Sequence, residues 1–278
     1  MPISLLTNMP ALSAQRDLEN TQGKLQKSYE RLASGTQINH PGDDPSGSVR
    51  VAALETQISA TQQAQRNALD AKSLVQVAEG GLNEINNLTL RLRELAVLSA
   101  SDTVNDESRN AVQAESNELR SEIDRIANST RYFKTNLLNG QGKDLNFQIG
   151  TDNSELGRIG YAAGSINVQS SALGLDDVTL SDSNSALESL ATIDKALSQI
   201  TDARSRTGSF QTRLDSISNQ HAMMVETLSG DVSRIRDTDY AKETTEYFKH
   251  QAIQRAGIAV LAQANSSNDM VMRLLDLK

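Results

Sequence analysis

Three histidines, a pair of adjacent aspartates and a glycine-flanked lysine are the residues here whose types are used in catalysis. His40, His221 and His250 stand far apart in the chain and show no metal-ligand spacing. Asp43 and Asp44 are direct neighbours, and adjacent carboxylates lack the alternating spacing of a calcium loop. Beside Pro45-Ser46-Gly47 they read as turn formers and helix caps. Gly140-Gln141-Gly142-Lys143 lacks the glycine spacing of a phosphate loop and has no Ser or Thr after Lys143. There is no cysteine, which excludes a disulfide framework, a thiolate metal site and a cysteine nucleophile. No nucleophile elbow or glycine-rich nucleotide fingerprint occurs. Asn87, Asn128 and Asn265 each begin an N-glycan sequon; with no secretory signal in view these are read as accidental matches. The expectation is a protein that is not an enzyme and takes no cofactor or metal.

The chemistry of interest is therefore packing. The 278 residues carry 35 acids and 27 bases, a net charge of −8, without a basic run, so a nucleic-acid role is not expected. Hydrophobic residues make up 37% and aromatics only 3%, ordinary for long helices that pack through Leu, Ile, Val and Ala. The four prolines are Pro2, Pro10, Pro41 and Pro45. A proline costs about 3 kcal/mol inside a helix, so everything after Pro45 is free to form very long ones. Met1 to Asn20 has no basic start and no sustained apolar run, which predicts that no signal peptide is cleaved.

In residues 11–33, Leu18, Leu25 and Leu32 recur every seven residues, with Ala14, Thr21 and Ser28 between them. This is a coiled-coil seam with small residues at alternate positions. Pro10 is expected to end or kink that helix. The breaker cluster from Asn39 to Gly47 reads as a linker. Val49 to Ala100 is helical in pattern, with a seam of Val75, Ala78, Leu82, Ile85, Leu92 and Ala96 widened by Leu74, Leu88 and Leu95, and with Gly80-Gly81 as a local weakness. A second helix over about 106–128 is its hairpin partner. Residues 131–180 suggest two to four strands, with Leu145, Phe147 and Ile149 alternating. Helical periodicity returns from Ser185 to Ser229, made polar by Arg204, Arg206, Thr207 and Gln211, and Gly230-Asp231 mark a weak break.

The last forty residues organise the rest. From Ala256 to Asn268 there is no charge, and Ala256 to Ala262 is apolar all round a helix. Such a helix is normally buried on every side, yet a membrane span needs about 20 mainly apolar residues. The segment needs protein neighbours; whether its own core or other copies supply them is left open by the segment itself. The fold class expected is mainly α, with long antiparallel helices or a coiled coil from both chain ends and a small β-hairpin region in the middle. Residues 1–34 with 235–278 form the terminal coiled coil, 35–47 a linker, and 48–234 a helical bundle whose β region lies at about 138–180.

Taken together, these stretches resemble bacterial flagellin over essentially the whole chain. The residues that carry the resemblance are Tyr29 to Gly35, Ile38-Asn39, Asp43 to Gly47, Leu92 to Val97, Asn139-Gly140, Phe147 to Gly150, Leu173 to Asp176, Arg236 to Ala241 and Val260 to Asn265. The chain departs from the family at Pro10, in a looser tail containing Asp269 and Asp276, and in lacking the variable outer domains usually inserted after Leu173 to Asp176. The resemblance implies a structural subunit that self-assembles into the helical flagellar filament for swimming motility. It implies type III export, an extracellular location in the filament and no membrane insertion. The partners implied are further copies of the chain, a flagellar export chaperone, and cap and junction proteins. On that analogy Leu18, Leu25, Leu32, Ile258, Leu261 and Leu274 contact neighbours in an inner tube, and the terminal helices are largely disordered in the isolated monomer. The resemblance also maps an epitope for the flagellin-sensing Toll-like receptor onto Arg91, Leu95 and Glu115, and allows O-glycosylation in the central region. The alternatives are the flagellar hook–filament junction protein, which shares the terminal coiled-coil plan, and a soluble coiled-coil adaptor.

Overall fold

The computed structural model describes residues 7–276, without the side chains of residues 268, 269 and 271–276. Six α-helices are present among the described residues: α1 Met9–Ser34, α2 Pro45–Ser99, α3 Asp106–Ser129, α4 Ser170–Leu173, α5 Ser183–Arg236 and α6 Tyr240–Asp276. Four short strands lie between α3 and α4. β1 Arg131–Tyr132 pairs antiparallel with β2 Thr135–Asn136, and β3 Leu145–Gln148 with β4 Arg158–Tyr161. The fold is thus mainly α, with long helices from both ends of the chain and a small β region in the middle. The chain divides into two compact units, residues 1–56 with 227–278 and residues 57–226.

The second unit holds a continuous core. Along α2 the buried positions 61, 64, 68, 71, 75, 78, 82, 85, 89, 92, 96 and 99 alternate in steps of three and four, the spacing of a coiled-coil seam. Three of them are polar, and each hydroxyl has a carbonyl partner. Thr61 and Thr89 donate to the carbonyls of Gln57 and Ile85 at 2.8 Å, and Ser99 to that of Leu180 at 2.6 Å. The seam packs against Val112, Ile123 and Ala127 of α3, and against Ile193, Ile200 and Leu214 of α5. The middle segment adds Leu137, Leu138, Ile159 and Val168 to the same core. Val168 donates its backbone N–H to Leu138 and Gly140 its own to Ile166, so the segments around Asn139 and Asn167 are bridge-paired without forming a further named strand.

Helix ends follow local chemistry. Pro10 sits in the first turn of α1, where its missing N–H is harmless, and the Asn8 side chain caps that turn by accepting from the Ala11 N–H at 3.1 Å. Asp44 caps α2, accepting from the backbone N–H groups of Ser46 and Gly47 at 3.1 and 3.0 Å. Gly35 closes α1 in the left-handed region, at φ 74. The break expected at Gly230-Asp231 is absent: α5 runs through to Arg236, and the chain turns at Asp237 to Asp239. A glycine costs a helix only about 1 kcal/mol, while Asp239 supplies a strong cap by accepting from Ala241 and Lys242.

Gly80-Gly81 likewise leaves α2 unbroken, and the two glycines differ. A Cβ on Gly80 meets nothing within 4 Å, whereas one on Gly81 lies 2.7 Å from both Leu138 Cδ1 and Thr130 Oγ1. Gly81 is where the helix takes the β region against its backbone. Gly80→Ala is expected to raise stability by about 0.5–1 kcal/mol through helix propensity. Gly81→Val is expected to lower it by about 1–3 kcal/mol through overpacking. Urea unfolding of the two variants checks the opposite signs.

Candidate assembly interface

The two chain ends pair as an antiparallel helical hairpin within the first unit. The Asn8 amide donates to the Ala264 carbonyl at 3.1 Å, Gly257 faces Leu18, Arg31 lies 3.6 Å from Glu243, and Gly35 faces Tyr240. In α1 the covered positions are Ala11, Ala14, Leu18, Thr21, Leu25, Ser28 and Leu32. In α6 they are Glu243, Tyr247, His250, Gln254, Gly257, Leu261 and Ala264. Both sets step by three and four residues. The α6 side of this seam is mostly polar or small, and polar residues at seam positions set register at a cost in stability.

The base of the hairpin is stapled through backbone. Thr36 and Asp237 form an isolated antiparallel bridge, Gln37 donates to Arg236 at 2.6 Å, and Thr238 donates to Gly35 at 2.9 Å. Beside it the connector is tied to α1 by Asp43. Its carboxylate accepts from the Lys27 ammonium at 2.6 Å and from the backbone N–H groups of Asn39 and His40 at 3.2 and 3.1 Å. The Lys27 hydrogen bond, seconded by the His40 N–H, pulls the Asp43 pKa from 3.8 to about 2. His40 meets Glu30 at 2.9 Å, His250 lies 3.6 Å from Glu246, and His221 hydrogen-bonds the Ile149 carbonyl at 2.7 Å. Each histidine thus has its own local partner. Among the described residues no group of three or more acidic, His or Cys side chains is placed to hold a metal, and no helix is long and apolar enough to cross a membrane.

The hairpin also leaves large apolar side chains uncovered among its exposed polar residues. Phe248, Ile253, Ile258 and Val260 of α6 are 46–60% exposed, and Met9, Leu12 and Tyr29 of α1 are exposed as well. An apolar surface of this kind on an elongated element marks an interaction site. Of the neighbour-contacting residues expected from sequence, Ile258 points outward. Leu18, Leu25, Leu32 and Leu261 are half-covered on the seam inside the chain, and the Leu274 side chain lies outside the described residues. Arg91 and Glu115 are exposed and paired with each other across α2 and α3, the guanidinium donating to Glu115 at 2.9–3.0 Å and to Glu94 at 3.0 Å. These partners raise the Arg91 pKa. Leu95 does not share that surface: it is 3% exposed and belongs to the core of the second unit.

This architecture has counterparts among known proteins. The family description "bacterial flagellin N-terminal helical region" matches residues 5–143, and "bacterial flagellin C-terminal helical region" matches residues 190–275. The chain belongs to the bacterial flagellin family. The flagellar filament 33 kDa core protein of Treponema phagedenis is 36% identical over 284 residues, covering 96% of this chain and 98% of that protein. A crystal structure of Bacillus cereus flagellin matches with a TM-score of 0.51 and 30% identity, over 56% of this chain and 88% of that one. A putative flagellar hook-associated protein from Vibrio parahaemolyticus matches with a TM-score of 0.55 and 19% identity, over 69% of this chain and all of that one. At that identity it shows a shared fold alone.

For this flagellin-family chain, sequence reasoning missed Phe248, Ile253 and Val260 as outward residues. The sequence offered no register for them, because Ala256 to Ala262 is apolar all round. The Asp43 tie gives a pH-dependent prediction. Because the folded pKa is depressed, its contribution is complete above about pH 4 and is lost as pH falls through about 2. Lys27 is half exposed, so solvent screens the pair and the contribution is about 1 kcal/mol. Asp43→Ala is expected to lower hydrogen-exchange protection of the connector amides about fivefold at neutral pH. The difference from the unsubstituted chain should vanish near pH 2.

Proposed function

We infer that this chain is a subunit of the flagellar filament, a structural and non-catalytic protein that polymerises on copies of itself. The observation that carries this is the incompletely closed hairpin: Leu18, Leu25, Leu32 and Leu261 on its seam are only half-covered, the α6 side of the seam is mostly polar or small, and Phe248, Ile253, Ile258 and Val260 stay exposed. One partner helix cannot cover a helix that is apolar all round, whereas several neighbours can. Identical subunits meeting head-to-tail through unlike patches, without ring closure, give a helical polymer. Export through a flagellar type III apparatus, and contacts with an export chaperone, cap and junction proteins, follow from family membership. Receptor recognition through Arg91 and Glu115 would rest on the exposed Arg91–Glu115 pair rather than on Leu95. The junction-protein alternative is less well supported, because the 36% relative is named a filament core protein while the hook-associated likeness is one of fold.

Electron microscopy after adding a precipitating salt tests the reading. The full chain is expected to form long tubes, and a version lacking residues 235–278 none. Discrete particles from both would overturn the filament reading in favour of a junction protein or adaptor. Val260→Asp supplies the finer measurement. Val260 is exposed in the chain, so the variant monomer should keep its helix content by circular dichroism. Its critical concentration for polymerisation should rise at least about tenfold, from the loss of apolar burial against neighbours. Limited proteolysis should trim the terminal helices from the monomer and spare them in the polymer.

A further inference from the structure

The β1–β2 hairpin has a turn that its own fold does not explain. Phe133 and Lys134 are the two residues that join the strands. Two-residue hairpins favour Asn-Gly and similar pairs, because left-handed backbone is needed there. Phe133 takes that conformation at φ 52, and among the described residues no other non-glycine has a positive φ. Its ring is nevertheless 85% exposed. Backbone strain of this kind clusters at functional sites. The ring is also held in place, edge-on to Tyr132 with centroids 4.8 Å apart, and Tyr132 packs on the core. An anchor already ordered in the free chain loses less freedom on docking. Arg131 and Lys134 flank it, and their side chains have no hydrogen bond or ion pair among the described residues.

A matching recess lies on the first unit. A groove of about 480 Å³ runs between the first turns of α2 and the last turns of α5, lined by Ala53, Leu54 and Ile235 with Arg50, Asp231 and Arg234. A cavity of about 150 Å³ holds a benzene ring, so a phenyl group has room. Arg50 and Arg234 suit the face of an aromatic ring. Asp231, paired within the chain to Arg234, and Glu55, paired to Arg236 at 2.5 Å, are exposed enough to take a second cation from Arg131 and Lys134. We propose that Phe133 of one copy docks in this groove on another copy of the same chain. The proposal rests on the self-assembly reading above and names a contact within it. A second copy is the fitting occupant because one chain carries both anchor and recess, the two unlike patches that a non-closing head-to-tail contact requires.

The chain contains no cysteine, so an engineered pair reports without background. Phe133→Cys and Ala53→Cys are made in separate chains, copolymerised and oxidised. Covalent dimers on a non-reducing gel are expected from the mixed polymer, and none from the mixed monomers. In a second arm, Phe133→Asn suits the left-handed turn, so the monomer should melt at an unchanged or higher temperature. Its critical concentration should rise about tenfold, the equivalent of about 1.4 kcal/mol. A role confined to the hairpin's own fold would not separate these two readouts. Polymers without the cross-link, or an unchanged critical concentration for Phe133→Asn, overturn the proposal and leave the filament reading standing. Failure of the unsubstituted chain to polymerise overturns both.

Discussion

The antiparallel pairing of the two chain ends through a seam of small and polar residues is the constraint on which the rest depends. Gly257 faces Leu18, the Ala264 carbonyl accepts from Asn8, and Glu243, Tyr247, His250, Gln254 and Leu261 fill the remaining seam positions of α6. Ion pairs such as Arg31–Glu243, at 3.6 Å, add little to stability when solvent reaches them. Polar seam residues are instead good at fixing register, because a slip leaves them without partners. The hairpin is therefore well specified and weakly held, and its apolar side chains are left for something else to cover.

The second unit follows the opposite rule. Its α2 seam is buried from Thr61 to Ser99, and the hydroxyls within it find carbonyls one turn back or on the segment before α5. Exceptions sit where α5 turns polar: Arg204 donates twice to Glu79, at 3.1 and 3.2 Å, beside the buried Tyr161. Burial raises the Tyr161 pKa, so the phenol stays neutral and packs as an aromatic, tilted against Phe210 with centroids 5.2 Å apart. This unit completes its core within one chain. The two units thus differ: one closes its core within the chain, and the other leaves large apolar side chains exposed.

Much of this was legible in the sequence because heptad spacing is a local signal. The seams of α1 and α2 were readable residue by residue, as were the caps around Pro45 and the hairpin of α2 with α3. The register of α6 was not, because Ala256 to Ala262 is apolar all round and periodicity vanishes where every position looks alike. Leu95 was read from its spacing as part of the widened α2 seam, where it is buried beside Ala96, and only the resemblance assigned it to an epitope. The staple of residues 35–37 on 236–238 is a backbone contact between distant segments, which side-chain pattern does not encode. Phe133 was invisible for a related reason: turn chemistry anticipates Asn or Gly at left-handed backbone, so a phenylalanine there gives no turn signal.

The balance between the two kinds of contact also sets how solution conditions act. Ordinary salt screens the exposed ion pairs along the hairpin, since charges beyond about 8 Å are largely hidden from one another at physiological ionic strength. Sulfate and phosphate do more, because they are excluded from protein surface and strengthen apolar burial. Their net effect on this chain has one sign. The seam loses a little of a small contribution, while the outward faces of Phe248, Ile253, Ile258 and Val260 gain a larger drive to be covered by other copies. A chain whose apolar groups were already buried would respond only in its fold stability. Because Phe248, Ile253, Ile258 and Val260 lie outside the pairing of α1 with α6, the same salt shifts association as well.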